Sequence, residues 1–402
     1  MKKLVQFGAG SIGRSFIGQL FSRAGYEVVF VDVEERIIRA LNTRREYIVK
    51  ILDEKQETWV IKNVRGLHAS QLERVAEEVA EADCLGTAVG KNALAEVVPA
   101  LARGLVRRFE RSGLRPVDLI ICENILDGAR FLRDRLKPAL PPEFPLDAML
   151  GLVETSIGKM VPIMSAQEKE KDPLLVYAEA YNTLILDKKA FKTPIPAVPG
   201  LDPKENMKAY VHRKSFIHNL GHAALAYLEG VAGKGYTYTW EAVKDPELRQ
   251  KAKKAMWESG RAQIRAYPEE FNEANQEEHI ENLLRRFGNV YLQDTIYRVG
   301  RDIRRKLSPD DRLIGAMLFD LDHGVEPSVT AEVAAAAFFF CKTDETGKMF
   351  EPDEEFHRLI LPRGLDFILG TVCGLRGDID SEKRVISLLR PHFERFSRQQ
   401  KG

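Results

Sequence analysis

The sequence predicts an α/β fold: an N-terminal, doubly wound parallel sheet followed by a mostly α-helical C-terminal domain. Three observations predict it. Short β-branched runs alternate with helix-length amphipathic segments between residues 3 and 124. A glycine-rich turn, GAGSIG (8–13), joins the first run to the first helix. Beyond the proline-rich connector TPIPAVPGLDP (193–203), helical periodicities dominate.

Each element has its own warrant. KLVQFGA (3–9) is an apolar run ending in glycine, hence a strand. SIGRSFIGQLFSRAG (11–25) sets Ile12, Phe16, Ile17, Leu20 and Phe21 at helical spacing and stops at Gly25. EVVFVDV (27–33) is a β-branched strand. LERVAEEVAEAD (72–83) is helical, CLGTAVG (84–90) a short apolar run, KNALAEVVPALARGLVRRFE (91–110) a helix and VDLIICEN (117–124) a strand. The four prolines of KPALPPEFPLD (137–147) make a loop, and GLVETSIGKMVP (151–162) and LLVYAEAYNTLILD (174–187) read as strands near the domain's edge. Helices are expected over 205–233, 246–267, 277–288, 294–307, 328–341 and 381–396. The change of texture near 190–200 divides the chain into domains 1–195 and 196–402.

Bulk properties narrow the class. The chain has 402 residues, 44% hydrophobic and 30% charged, with a formal net charge of +1. Such a balance gives no field that would draw nucleic acid or a membrane surface. Cys84, Cys122, Cys341 and Cys373 lie far apart and form no CxxC pair, which argues against a structural zinc or a disulfide framework. The strongest apolar run, VAAAAFFFC (333–341), is about half of the ~18 residues a membrane span needs. A cytoplasmic protein, monomeric or a small homo-oligomer, acting on a small molecule is the expectation.

Gly8, Gly10 and Gly13 form a GxGxxG frame with a strand before it and a helix after it. In that context Gly8 permits the tight turn, Gly10 lets the backbone approach a pyrophosphate, and Gly13 lets helix and strand pack closely. This is the fingerprint of a Rossmann dinucleotide site, in which the helix N-terminus presents free N–H groups to phosphate. Asp32 ends the second strand, where a carboxylate can accept from both ribose hydroxyls and repel a 2′-phosphate; Glu34 and Glu35 add to that repulsion. NAD is expected over NADP, bordered by Phe7, Gly8, Ala9, Gly10, Ser11, Ile12, Gly13 and Asp32, and by Val89 and Gly90 of TAVG at a later strand end. Asn124, in CEN (122–124), stands at another strand end.

KSFIHNLGH (214–222) concentrates Lys214, His218, Asn219 and His222. Three readings compete. His218 and His222 have the i, i+4 spacing of helical metal pairs, but no HExxH or third ligand accompanies them, and Lys214 puts a cation beside a cation site. A solvated helix face explains the Lys more easily than the whole cluster. In the third reading, dehydrogenation without metal, a partly desolvated Lys exchanges the hydroxyl proton while an Asn amide and a His N–H polarise the oxygen.

Lys214, Asn219 and His222 match K-x4-N-x2-H, and in this respect the chain resembles the polyol-specific long-chain dehydrogenases, the mannitol dehydrogenase family. FGAGSIGRSFIG, TAVG, CEN, VPG, KSFIHNLGH, YLQDTIYRVGR and RKLSPDDRLI occur in the family's order over nearly the whole chain. Within the family the chain is most similar to the branch acting on mannitol 1-phosphate. The resemblance implies NAD, no metal, Lys214 as general acid/base, Asn219 and His222 positioning the reacting oxygen, and Asn124 as a second polarising donor. It makes His218 a bystander. Where the family usually has VDR this chain has IGK (157–159), so Gly158 replaces the acid and Lys159 the Arg of a segment that borders substrate. His212 stands where an acid is common and, if protonated, would depress Lys214 further. Arg298, Arg301 and Arg305 share a helical face by spacing and are the candidates for a substrate phosphate, and Lys159 is a further candidate for substrate contact. Mannitol 1-phosphate and fructose 6-phosphate are the expected pair. The alternatives are an unphosphorylated polyol or hexuronate, or a non-catalytic dinucleotide-binding sensor.

Overall fold

The computed structural model describes residues 1–400 except Leu126 and Ile163. The chain forms two compact units, Met1–Met207 and Lys208–Gly402.

The first unit is built on strands β1 (Lys3–Phe7), β2 (Glu27–Asp32), β3 (Tyr47–Ile51), β4 (Thr58–Ile61), β5 (Val64–His68), β6 (Cys84–Thr87), β7 (Val117–Ile121), β8 (Leu150–Ser156), β9 (Val176–Ala178), β10 (Leu184–Asp187) and β11 (Leu201–Lys204). The main sheet has eight strands in the order β11-β10-β8-β7-β6-β1-β2-β5. From β5 to β8 all pairings are parallel and the order reverses beside β1, the switch point at which doubly wound sheets bind dinucleotides. Beyond β8 the sheet is extended by β10, antiparallel to it, and by β11.

Strand alternation sets the two layers. Leu4, Val28 and Phe30 pack into one core with Phe16, Ile17 and Leu20 of the first helix. Val5, Phe7, Val29 and Val31 pack into the other, with Val75, Val79, Leu101 and Leu105. Both faces are covered, which is why these strands are almost wholly apolar, the buried Gln6 of β1 excepted. Each such side chain contributes roughly 1.5–3 kcal/mol.

The structure adds to and corrects the expected elements. The segment between residues 45 and 68 holds β3, β4 and β5; β5 completes the parallel sheet, and β4-β3-β9 form a separate three-stranded sheet. LLVYAEAYNTLILD therefore divides between two sheets. β11 takes in the last three residues of the proline-rich connector, so the sheet continues past residue 196. The helix over 91–110 opens as a 3-10 segment, Lys91–Val97, and becomes α-helical at Val98–Ser112, where Pro99 lacks an N–H and suits the first turn.

The second unit is helical. Asp245 caps the helix Pro246–Ala266 through the backbone N–H groups of Glu247 and Leu248, and Asn272 forms a capping box on Glu273–Phe287. The helix expected over 294–307 is two: Ile296–Gly300 and Ile303–Lys306. Asp302 between them has φ 71°, and the Asp353 carboxylate accepts from the N–H groups of Asp302 and Ile303, each at 2.8 Å. A distant acid thus starts a new helix where local composition favours one continuous helix. Among the described residues no helix is long and apolar enough to cross a membrane.

Candidate active site

The glycine loop follows β1 and leads into a helix whose first part, Gly13–Gly18, is π-helical. Gly8 has φ +93°, and a Cβ there would lie 2.3 Å from the Ala88 carbonyl oxygen. A Cβ on Gly13 would lie 2.0 Å from the Gly8 oxygen, whereas one on Gly10 would meet nothing within 4 Å. Two glycines are therefore demanded by the protein's own packing, and the middle one borders open space. That is a cradle for a pyrophosphate, and it fits a dinucleotide. Ser11 is exposed and Ile12 half-buried beside it, with Phe7 and Ala9 buried beneath.

Asp32 joins this loop directly: Ala9 N–H donates to its Oδ2 at 2.6 Å and Glu34 N–H to its Oδ1 at 2.9 Å. Each oxygen keeps lone-pair capacity for a ribose hydroxyl. Val89 and Gly90 are held by a residue the sequence reading passed over. The buried Glu123 accepts from Val89 N–H at 2.8 Å and Gly90 N–H at 2.9 Å, and burial raises its pKa against those two donors. Asn124 follows it and is exposed. Arg14 is also buried, its Nε donating to Ala9 O at 2.6 Å and a terminal nitrogen to Pro173 O at 2.8 Å; burial brings its pKa down to about 10.

In the helical unit, Lys214, Asn219 and His222 share one helical run: Met207–Arg213 is α, Lys214–Asn219 is π, and Leu220–Ala232 is α. Angles reckoned at 100° per residue do not hold through the middle segment, where hydrogen bonds close i→i+5. π turns recur at functional sites. Lys214, Asn219 and His222 are half-buried, while His218 is buried with its ring 5.6 Å from Phe287.

His222 has two further neighbours. Its ring stacks on Phe287 at 4.7 Å and 5°, and its Nε2 lies 3.0 Å from Asp294 Oδ2, off the axis of a full hydrogen bond. Arg298 Nε in turn donates to Asp294 Oδ1 at 2.6 Å. Burial lowers the His222 pKa, with Asp294 opposing. Burial raises that of Asp294, but His222 and Arg298 outweigh it and hold the carboxylate below its ordinary range. Asp294 lies inside the quoted YLQDTIYRVGR, but its role depends on an approach in space that spacing does not reveal.

Within the helical unit, two of the three candidate phosphate ligands are already paired with acids. Arg298 is committed to Asp294, and Arg305 pairs with Asp302 and, at 2.9 Å, Asp311. Arg301 is exposed and lies over the rings of Tyr297 and Phe350. The break at Asp302 removes the shared helical face expected for the three. Lys159 is buried in the other unit, donating to Tyr181 O at 2.8 Å and Asn182 Oδ1 at 3.1 Å. Gly158 packs near Tyr181.

His212 also departs from expectation. Burial brings its pKa to about 4, with Lys208 and His323 adding to the effect, and the Tyr267 hydroxyl lies 2.8 Å from its Nδ1. It is neutral at pH 7 and adds no positive charge to that run. Its folded pKa lies below the ordinary 6.5, so the unfolded chain binds its proton more readily. Its stabilising contribution is complete above pH 6.5, falls as the pH drops toward 4 and is gone below that, a loss on the order of 3 kcal/mol. Thermal melts of His212→Gln should show a shallower decline over that window than wild type; an equal decline would refute the assignment.

Fold, glycine cradle and strand-end acid define an NAD-dependent oxidoreductase of the Rossmann type. The model of the mannitol dehydrogenase Rossmann domain matches residues 2–200, and that of the mannitol dehydrogenase C-terminal domain matches residues 206–362. The chain belongs to the mannitol dehydrogenase family. It is similar in structure to Pseudomonas fluorescens mannitol 2-dehydrogenase, solved as a ternary complex with NAD and D-mannitol (TM-score 0.73, 16% identity, covering 98% of this chain and 92% of that one). It is similar also to a D-sorbitol dehydrogenase solved in substrate-free form (TM-score 0.76, 16% identity, 98% and 93%). At this identity the likeness shows the fold. Among the described residues, no group of three His, Cys, Asp or Glu is placed to hold a metal ion.

Proposed function

We propose that the chain is a metal-independent polyol dehydrogenase of the mannitol-1-phosphate 5-dehydrogenase type, interconverting mannitol 1-phosphate and fructose 6-phosphate, with Lys214 as general acid/base. The observation that carries the reading is the single helical run bearing Lys214, Asn219 and His222, π-helical at its centre and with His222 held beside a buried carboxylate. NAD, when bound, supplies the hydride acceptor for the alcohol or the hydride donor for the ketose. Lys214 takes the hydroxyl proton in oxidation and returns it in reduction. The Asn219 amide donates to the reacting oxygen as charge develops on it, the part that the family resemblance also gives to Asn124. His222 positions that oxygen.

The order of motifs along the chain and the exposed Arg301 support the phosphorylated substrate. The engagement of Lys159, Arg298 and Arg305 favours a second reading, an unphosphorylated polyol or a hexuronate. The mannitol and NAD bound to the Pseudomonas relative support a polyol and that cofactor in either case. An NADH-consumption assay with fructose 6-phosphate, fructose and fructuronate, with and without chelator, separates the readings. Fructose 6-phosphate is expected to be reduced fastest and chelator to have no effect. Faster turnover of fructose or fructuronate would move the chain to the second reading, chelator sensitivity would bring back a metal, and NADH binding without reduction of any of them would indicate a sensor.

A further inference from the structure

We infer that Asp294 is a positioning residue that fixes the tautomer of His222, so that neutral His222 meets the substrate as a hydrogen-bond acceptor at Nδ1 and not as a donor. The inference rests on the dehydrogenase reading of Lys214, Asn219 and His222, and it alters the part His222 plays in it.

The argument begins with the 3.0 Å contact between His222 Nε2 and Asp294 Oδ2. An ionised carboxylate oxygen carries only lone pairs. An unprotonated Nε2 would set its own lone pair against them in a buried, weakly screened setting. A proton on Nε2 turns that repulsion into attraction, even with the contact off the ideal hydrogen-bond axis. The carboxylate stays ionised because His222 and Arg298 together outweigh its burial. Arg298, donating at 2.6 Å to the other oxygen, fixes how the carboxylate is turned. Phe287 fixes the plane of the imidazole by stacking on its face.

The charged and titratable groups around the ring are few. Asp294 and Arg298 face it from one segment, and Lys214 and His218 belong to its own helical run. Phe287 itself brings no charge, while Arg286 and His279 of the same helix, Glu273–Phe287, act on neighbouring His218. Burial opposes a second proton on the ring. Near neutral pH the imidazole is therefore neutral, with its one proton on Nε2, and Nδ1 is the atom left to accept.

The reacting hydroxyl has one hydrogen, and that goes to Lys214. Nδ1 therefore accepts from a neighbouring hydroxyl of the substrate chain, a group that polyol and ketose both carry, and His222 neither gains nor loses a proton in either direction. A second proton on the ring removes that acceptor, so KM for polyol and for ketose should both rise as the pH falls through the His222 titration.

The test is the ¹⁵N spectrum of the full chain labelled with ¹⁵N-histidine, with the His222 signals assigned by His222→Gln. Wild type at neutral to basic pH should show a protonated Nε2 and an unprotonated Nδ1. Asp294→Asn should shift the ring toward a mixture of tautomers and lower kcat by roughly 10–100-fold, with KM for NADH unchanged, and Asp294→Glu should recover part of the loss. A wild-type ring protonated on Nδ1 overturns the inference, as does an unchanged tautomer in Asp294→Asn whatever the rate. If Asp294→Asn does not fold, the wild-type spectrum alone decides. The spectrum needs no turnover, so its outcome is separate from that of the Lys214 kinetics that test the dehydrogenase reading.

Discussion

Lys214→Ala should lose turnover and keep its cofactor. A general acid/base contributes on the order of 10²–10⁴-fold to rate, and at this site no other side chain is assigned the hydroxyl proton. kcat is expected to fall by that factor in both directions, with the affinity for NADH, measured by quenching of tryptophan fluorescence, within about twofold of wild type. The expectation follows from the division of labour along the chain: the glycine cradle belongs to the unit Met1–Met207 and Lys214 to the unit Lys208–Gly402. A small primary amine added to the variant should restore part of the rate, because a diffusing base replaces only the proton carrier. Turnover near the wild-type rate without added amine would place the proton on another group.

The second large effect separates packing from binding at the glycine loop. Gly8→Ala and Gly13→Ala put a methyl group 2.3 and 2.0 Å from backbone oxygens, and at Gly8 φ is +93° as well. Both variants should melt at lower temperature and lose NADH. Gly10→Ala adds a methyl that meets no protein atom within 4 Å, so its stability should stay within about 0.5 kcal/mol of wild type. Its affinity for NADH should nonetheless fall by about tenfold or more, equivalent to about 1.4 kcal/mol, because the methyl occupies the approach of the pyrophosphate. Unchanged NADH binding by Gly10→Ala would mean that the phosphates do not pass over this residue.

Parts of the molecule announce themselves in the sequence for physical reasons. A parallel strand covered on both faces is largely apolar, so LVQF and EVVFVD are plain to read, and a strand, glycine frame and helix in series have few other uses. YIVKI and VRGLH are short and interrupted by polar residues, TWVI is only four residues long, and they lie at an edge or in the small sheet, so the local signal for them is weak. The break at Asp302 is invisible for a different reason: its cause is Asp353, distant in the chain. Candidate site residues follow the same division. Those proposed from backbone geometry or from a fixed local spacing, such as Gly8, Gly13 and Lys214, can be picked out by inspection. Glu123 and Asp294 act by reaching a partner from another element, and an acid beside a turn or before a helix looks like many others. The arginines erred in the opposite sense, because regular spacing suggested a common target where two of them are already committed to acids.

The π-helical segment Lys214–Asn219 has a consequence for anyone moving this site to another scaffold. An α-helix carries each residue about 100° around its axis, so a lysine and an asparagine five positions apart are thrown to different sides; a turn that closes i→i+5 brings them back nearly into line. Grafted onto an ordinary α-helix, K-x4-N-x2-H would keep its letters and lose its shape. Deleting one residue inside 214–219 should likewise restore α geometry with Met207–Arg213 and Leu220–Ala232 still in register, so the core should survive while the placing of Lys214 relative to Asn219 changes. The extra residue held in that turn is thus what the placing of Lys214 relative to Asn219 depends on.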